Sequence, residues 1–368
     1  MRVLVTGGAG FIGSHVTDEL LRRGYTVRIM DDLEPQVHDA GMPNYINKRA
    51  EFMRGDVTRP EDWKKALTGA DAVLHLAAAT GIGQSMYKPA RFHMVNTVGT
   101  ALMYESIINN KFPIKKIVMA SSKTIYGEGS YRCDEHGEVW PAQRPSEQMQ
   151  AHDWELHCPK CGKHVKPIPI GEHKPPQNLS SYALSKYDQE RLAVNFGNAL
   201  GIPTVVLRCF NVYGPRQSMN NPYTGITAII SSRIKNGNRP VIYEDGLQTK
   251  DFIYVSDVVE AYMLSLEKAD GVKVYNVGFG TPTTILEVAK VLLELYDSDL
   301  EPQMTGEFRV GDNRHDFADM SLIHKELGFK PKISFSDGMK KLVEWGRTER
   351  AVDKFEDANR EFKEKLKR

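Results

Sequence analysis

Tyr182 and Lys186 stand four residues apart in a segment of helical periodicity, so both project from one helix face. A lysine ammonium beside a tyrosine stabilises phenolate and lowers the phenol's pKa. A phenol tuned in this way serves as a general base near neutral pH. The apolar run from Lys115 to Ala120 reads as a strand ending in Ser121-Ser122. A serine hydroxyl next to the tyrosine could pass its proton and position a substrate hydroxyl. Tyr-x-x-x-Lys alone is common on surface helices, so its meaning depends on the fold that carries it.

A second group of reactive side chains lies between these two. Cys133-Asp134-Glu135-His136 and Cys158-Pro159-Lys160-Cys161 each place two ligands three residues apart. Two such halves close a tetrahedron of three thiolates and one imidazole around zinc. Cys133, Cys158 and Cys161 supply the thiolates. His136 is the first choice for the fourth ligand, with His157 and His164 as competitors. A closed site has no open position, so the expected metal is structural. A disulfide is disfavoured by the reducing compartment expected for this chain. The surrounding stretch, about 129–173, is polar, rich in Pro, Gly and His, and nearly aperiodic. It is expected to lack a core of its own, to need the metal to fold, and to emerge beside the pocket between the serine strand and the tyrosine helix.

The elements that must position these groups begin at the N-terminus. Met1 to Val5 read as an apolar strand, followed by Thr6-Gly7-Gly8-Ala9-Gly10-Phe11-Ile12-Gly13 and a helix with Val16, Leu20 and Leu21 on one face. Gly7 permits the tight turn, Gly10 the approach of a pyrophosphate, and Gly13 close packing of helix on strand. The helix N-terminus, with Phe11 and Ile12, offers free N–H groups to phosphate. Asp31 ends the next strand, Thr26 to Met30, where a carboxylate bonds a ribose hydroxyl. With Asp32 beside it, Asp31 would repel a 2′-phosphate, which favours NAD over NADP. Asp56 and Val57 fall at a strand end where adenine would lie, and Ala77 heads a run of small residues that leaves room for the cofactor.

The chain has 368 residues and a formal net charge of +1, so nothing in its charge balance points to nucleic acid or an anionic membrane. It has no apolar run long enough for a membrane span. Its N-terminus reads as a core strand and not as a signal peptide, and the expected location is cytoplasmic. Alternating strands and helices predict an α/β fold, a doubly wound parallel sheet. Further helices are predicted at about Pro89 to Asn109, Tyr182 to Leu200, Ile226 to Lys235 and Ile285 to Tyr296. From Arg347 onward the chain is strongly charged with helical periodicity and reads as a solvated surface helix.

Together the glycine loop, Asp56-Val57, Ser121-Ser122, Tyr182-x-x-x-Lys186 and Arg208-x-Phe210-Asn211-Val212-Tyr213-Gly214-Pro215 resemble the extended short-chain dehydrogenases/reductases, and within them the nucleotide-sugar epimerase and dehydratase branch. The resemblance implies a Rossmann NAD-binding domain at 1–207 carrying the insert 129–173 as a zinc-ribbon-like lobe. It implies a smaller mixed α/β substrate domain, mainly 208–346 with some segments returning to the first, and the charged helix 347–368. Ser122, Tyr182 and Lys186 would be catalytic, with Lys186 also holding the nicotinamide ribose. Thr124 would line the sugar pocket, Asn211 bind a phosphate and Arg309, in Arg309-Val310-Gly311-Asp312, bind the diphosphate. Lys250 falls where relatives carry arginine, so the charge is kept and the bidentate fork lost. Ser85 belongs to Gly81-Ile82-Gly83-Gln84-Ser85-Met86-Tyr87, which with the insert is similar to enzymes classed as dTDP-L-rhamnose 4-epimerases; UDP-glucose 4-epimerases are the nearest rival.

Dehydratases of the branch carry an Asp-Glu pair after the serine or threonine, and here the pair is Lys123-Thr124. The implied reaction is therefore epimerisation of a nucleotide-diphosphate sugar at C4 through a transient 4-keto sugar. A reductase or dehydratase releasing a keto product is the alternative within enzymes, and a non-catalytic NAD-binding scaffold the alternative outside them. Relatives dimerise through the Pro89–Asn109 and Tyr182–Leu200 helices, which implies a homodimer.

Overall fold

The structure, a computed structural model, describes residues 1–366 apart from Ala40 and Val310. Seven parallel strands form the main sheet, in the order Val272–Val277, Thr204–Cys209, Lys116–Ser122, Ala72–His75, Arg2–Thr6, Thr26–Asp31 and Glu51–Arg54. Near-continuous apolar runs such as Val3-Leu4-Val5 and Val205-Val206-Leu207 are buried on both faces, as parallel strands require. Helices Phe11–Arg22, Val255–Glu267 and Ser321–Leu327 cover one face. Helices Pro60–Leu67, Gly99–Asn110 and Ser181–Leu200 cover the other. The strand Val272–Val277 comes late in the chain and closes the edge of the first sheet.

A smaller unit has its own core around Tyr213, Phe252, Val288, Leu292 and Met339. Strand Thr249–Tyr254 is its centre. It pairs in parallel with Asn211–Tyr213 and His315–Asp316, and antiparallel with Pro282–Thr284. Ser334 caps the helix Phe335–Thr348 by accepting the Asp337 N–H, and that helix buries Met339, Leu342 and Val343 against this core.

Three regions depart from the sequence expectations. The helix predicted over Pro89 to Asn109 is interrupted: His93–Val98 forms a π-helical segment between Pro89–Phe92 and Gly99–Asn110. Such widened turns mark functional positions more often than chance, and this one buries Asn96. The insert has a core after all. Strands Gly137–Val139, Ser130–Cys133 and Lys166–Ile168 form an antiparallel sheet, and Tyr131, Val139, Leu156 and Val165 bury themselves with Cys133 and Cys158. The charged tail forms a helix, Phe355–Leu366, that is not simply solvated, because its Phe355 is buried. No helix among the described residues is long and apolar enough to cross a membrane.

Candidate active site

All the main strands point their carboxyl ends the same way, and a cavity of about 650 Å³ opens there between the two units. Ligands of open parallel sheets bind at this edge. Gly7, Gly10, Phe11, Ile12 and Gly13 line it, with Asp31, Asp56, Val57 and Ala77. The glycines are forced by geometry. Gly7 has φ +66°, and a Cβ there would lie 2.8 Å from the Ala77 nitrogen. A Cβ on Gly13 would lie 2.1 Å from the Gly7 carbonyl oxygen, so the close approach is to the loop itself. The Asp31 carboxylate is fixed by two backbone donors, Ala9 N–H on one oxygen and Leu33 N–H on the other, each at 2.9 Å. Asn96 holds the small-residue segment opposite, accepting from Ala79 N–H at 2.8 Å and donating to the Ala79 carbonyl at 3.1 Å.

Ser122, Tyr182 and Lys186 line the same cavity. Ser180 caps the tyrosine helix, accepting the Ala183 N–H at 3.1 Å; Tyr182 is thereby fixed in the first turn and Lys186 one turn on. Ser122 ends its strand and accepts from the Thr124 N–H at 3.2 Å and the Thr124 hydroxyl at 2.9 Å. The expected depression of the phenol does not occur in this state. Burial pushes Tyr182 up to about 12, offset in part by the Ser122 hydroxyl. Burial likewise pushes Lys186 down to about 8, and its ammonium donates to the Gln189 side chain at 2.6 Å. Desolvation dominates at both groups, and the lysine's hydrogen-bond partner is an amide instead of the phenol.

At the other end Thr124, Asn211 and Arg309 reach the cavity. Asn211 donates to the Asp251 carbonyl at 2.9 Å. Lys250 and Ser85 are placed differently from expectation. Neither lines the cavity. Lys250 is drawn to the buried Asp316 carboxylate at 3.0 Å and to Asn313 at 2.6 and 2.8 Å. Ser85 is buried in a short helical turn and donates to the Ile82 carbonyl at 2.7 Å. Lys123, which lines the cavity, is held by the same Asp316 at 2.7 Å. Positions 123 and 124 therefore present an ion-paired ammonium and a hydroxyl, with no carboxylate at either. Sequence reasoning missed Phe355, Ala358, Asn359 and Phe362, all of which line the cavity from the tail helix. Their spacing of three, one and three residues was a readable one-face pattern.

The structure gathers Cys133, His136, Cys158 and Cys161, with potential ligand atoms within 4.8 Å of one another. The His136 Nδ1 lies 3.5 Å from the Cys133 sulfur and 3.6 Å from that of Cys158, and the Cys133 and Cys161 sulfurs are 3.7 Å apart. A zinc tetrahedron with bonds of about 2.3 Å has ligand separations of about 3.8 Å. His157 and His164 group instead with Asp153, away from the cysteines. The insert stands behind the pocket wall and not in its lining: among the described residues none from 129–173 lines the cavity, while Arg144 donates to the carbonyl of the lining residue Asp312 at 3.4 Å. It docks on the smaller unit through ion pairs of two buried arginines, Arg144 and Arg314. Arg144 meets Glu244 with two bonds of 2.8 and 2.9 Å. Arg314 binds Glu244 at 2.9 Å, Glu155 at 2.6 Å and Asp245 at 2.6 Å.

Fold and cavity thus define a Rossmann-type protein in which a tyrosine–lysine pair and a glycine-rich loop line one cavity. The chain belongs to the NAD dependent epimerase/dehydratase family, whose sequence profile matches residues 3–148 and 160–278. It is 35% identical over 348 residues to a dTDP-L-rhamnose 4-epimerase of Burkholderia thailandensis, with 94% of each chain covered. Among solved structures it is similar to UDP-glucose 4-epimerase of Thermotoga maritima with UDP-glucose, at TM-score 0.79 and 32% identity, covering 94% of this chain and 99% of that one. The UDP-glucose 4-epimerase of Thermus thermophilus in complex with NAD gives TM-score 0.76 and 30% identity, covering 95% and 99%.

Proposed function

We propose that the protein inverts C4 of a nucleotide-diphosphate sugar, dTDP-L-rhamnose or UDP-glucose being the leading candidates, with NAD as a resident cofactor. The observation that carries this reading is the single cavity shared by the glycine loop, the Ser122–Tyr182–Lys186 group and Arg309. The similarity to 4-epimerases over nearly the whole chain supports it. The glycine loop, with no room for Cβ atoms at Gly7 and Gly13, fits a pyrophosphate, and Asp31 with its backbone-fixed oxygens fits a ribose diol. NAD, when bound, supplies a hydride acceptor and a positive charge next to the reacting carbon.

Tyr182 is the group that takes the proton of the C4 hydroxyl and returns it after the ketone has turned its other face. Ser122 orients that hydroxyl, and Lys186 stabilises the phenolate once its ammonium is turned from Gln189. Asn211 and Arg309 hold the diphosphate. Elimination of water needs an acid–base pair where this chain has Lys123 and Thr124, which argues against a dehydratase. The cysteine cluster holds one structural zinc, supported by the ligand separations. A homodimer through the Gly99–Asn110 and Ser181–Leu200 helices is supported by exposed Ile108, Leu184 and Leu200 on them.

Incubation with UDP-glucose, dTDP-L-rhamnose and related sugars, followed by NMR, tests the reading. C4 epimers should accumulate to equilibrium without net consumption of NAD. A stable 4-keto product, or stoichiometric release of NADH, would replace it with the reductase or dehydratase alternative.

A further inference from the structure

The tail helix Phe355–Leu366 turns one face, Phe355, Ala358, Asn359 and Phe362, into the cavity. At one end of that face Phe355 is buried beneath the Arg233 guanidinium, 4.6 Å from ring centre, with the Arg309 guanidinium at 5.9 Å. At the other end the Phe362 ring covers Gly83, where a Cβ would lie 3.5 Å from its edge. Farther along, Glu361 accepts from the Tyr223 hydroxyl at 2.8 Å, and Tyr223 in turn bonds Tyr87 at 2.8 Å. The helix therefore touches both sides of the cleft.

Asn359 sits between the two aromatic rings. Its carbonyl oxygen accepts from Arg309 Nη2 at 2.8 Å, and its amide donates to the Tyr243 hydroxyl at 2.9 Å. Arg309 also donates to that hydroxyl at 3.0 Å and stacks over the Tyr243 ring at 4.4 Å. Among the described residues, Arg309 has no carboxylate partner. Its planar head is fixed by a ring, a hydroxyl and an amide, all neutral, while it faces the cavity. A carboxylate in place of Asn359 would bind the guanidinium more strongly and would cancel the charge that an anion needs.

We infer that Asn359 is a positioning residue, which orients Arg309 with a neutral acceptor so that its full charge meets the substrate's diphosphate, and that the tail helix forms part of the substrate wall. The inference rests on the proposed reading of the cavity as a nucleotide-sugar site, and the test separates the two. UDP and dTDP are titrated calorimetrically into the NAD-loaded wild type, Asn359→Ala and Asn359→Asp. Asn359→Ala should bind about tenfold more weakly, as expected for loss of a bond to a charged group. Asn359→Asp should lose about a further tenfold, since its new ion pair opposes the anion. NAD retention should be unchanged, kcat at saturation within about threefold, and the melting temperature of Asn359→Asp at or above that of the wild type. A purely structural role predicts the reverse order, with aspartate the better replacement. Wild-type affinity in both variants, or tighter binding by Asn359→Asp than by Asn359→Ala, would overturn the inference and leave the proposed function standing. Failure of the wild type to bind either nucleotide would remove the UDP- and dTDP-sugar reading of the site and the inference with it.

Discussion

The inserted lobe and the tail helix are both additions to the two-unit body, and they are attached in opposite ways. The lobe has an interior, built from Tyr131, Val139, Leu156, Val165 and two of the cysteines. It is tied to the rest of the molecule by the buried pair of Arg144 on Glu244, by Glu155 on Arg314, and by Ile170, buried against Tyr126 and Phe210. The tail helix has no interior. Only Phe355 of its side chains is buried, and its contact face is the cavity wall. A segment with its own core can sit behind a site and brace it, as Arg144 does by reaching the Asp312 carbonyl at 3.4 Å, three residues from Arg309. A segment without one gains order only by covering something, and here it covers the cleft.

The largest expected effect comes from a variant that leaves both additions intact and so sets the scale. Tyr182→Phe should lower turnover by about 100-fold or more, in line with loss of a general base, with NAD retained and substrate affinity little changed. A tail or lobe variant that matched this fall in kcat would break the comparison, since neither region reaches the base. Next in size is removal of the cysteine cluster. Wild-type protein purified without chelator should carry about one zinc per chain, and Cys158→Ser combined with Cys161→Ser should lose it. Metal analysis and limited proteolysis should then show cleavage between 129 and 173 with the NAD-binding body intact. KM for the sugar nucleotide should rise about threefold through the loosened brace on Asp312, with kcat nearly unchanged. A metal-free wild type with a protease-resistant lobe would refute the zinc assignment. Smallest is Glu361→Gln on the outer side of the tail helix. Its carboxylate is partly exposed, accepts from the Tyr223 hydroxyl at 2.8 Å, a bond that the glutamine oxygen can keep, and lies 3.9 Å from Lys88. Such pairs contribute little, so steady-state kinetics should show a KM change of at most about twofold. A larger change would shift the tail's role from the Asn359 face to its charged rim.

Much of the cofactor end was legible because it is local. The turn at Gly7, the crowding at Gly13 and the one-turn spacing of Tyr182 and Lys186 are consequences of near neighbours in sequence. The two halves that gather Cys133, His136, Cys158 and Cys161 were legible for the same reason, while His157 and His164 group with Asp153 instead. What escaped depends on groups far apart in the chain. Nothing near Lys250 announces that Asp316 will take it, or that Lys123 will share the same carboxylate. The high phenol pKa of Tyr182 reflects how deeply the surrounding elements bury it, which periodicity does not report. The tail's charge content masked a one-face apolar pattern that was present in its sequence. The insert misled in the other direction: its few apolar residues are too scattered to show a period, yet a three-stranded sheet and a hairpin bring them together.

The shared carboxylate of Glu244 has a consequence for the order in which the protein is assembled. Arg144 lies 100 residues ahead of it in the chain, and Glu155 lies 159 ahead of Arg314. At synthesis rates of about 5–20 residues per second, Arg144 waits on the order of 5–20 s for Glu244. The antiparallel pairing of Ser130–Cys133 with Gly137–Val139 spans only a few residues and has no such delay. The Arg144 and Glu155 ion pairs therefore form only after the C-terminal half has emerged, and a nascent chain stalled before Glu244 lacks both.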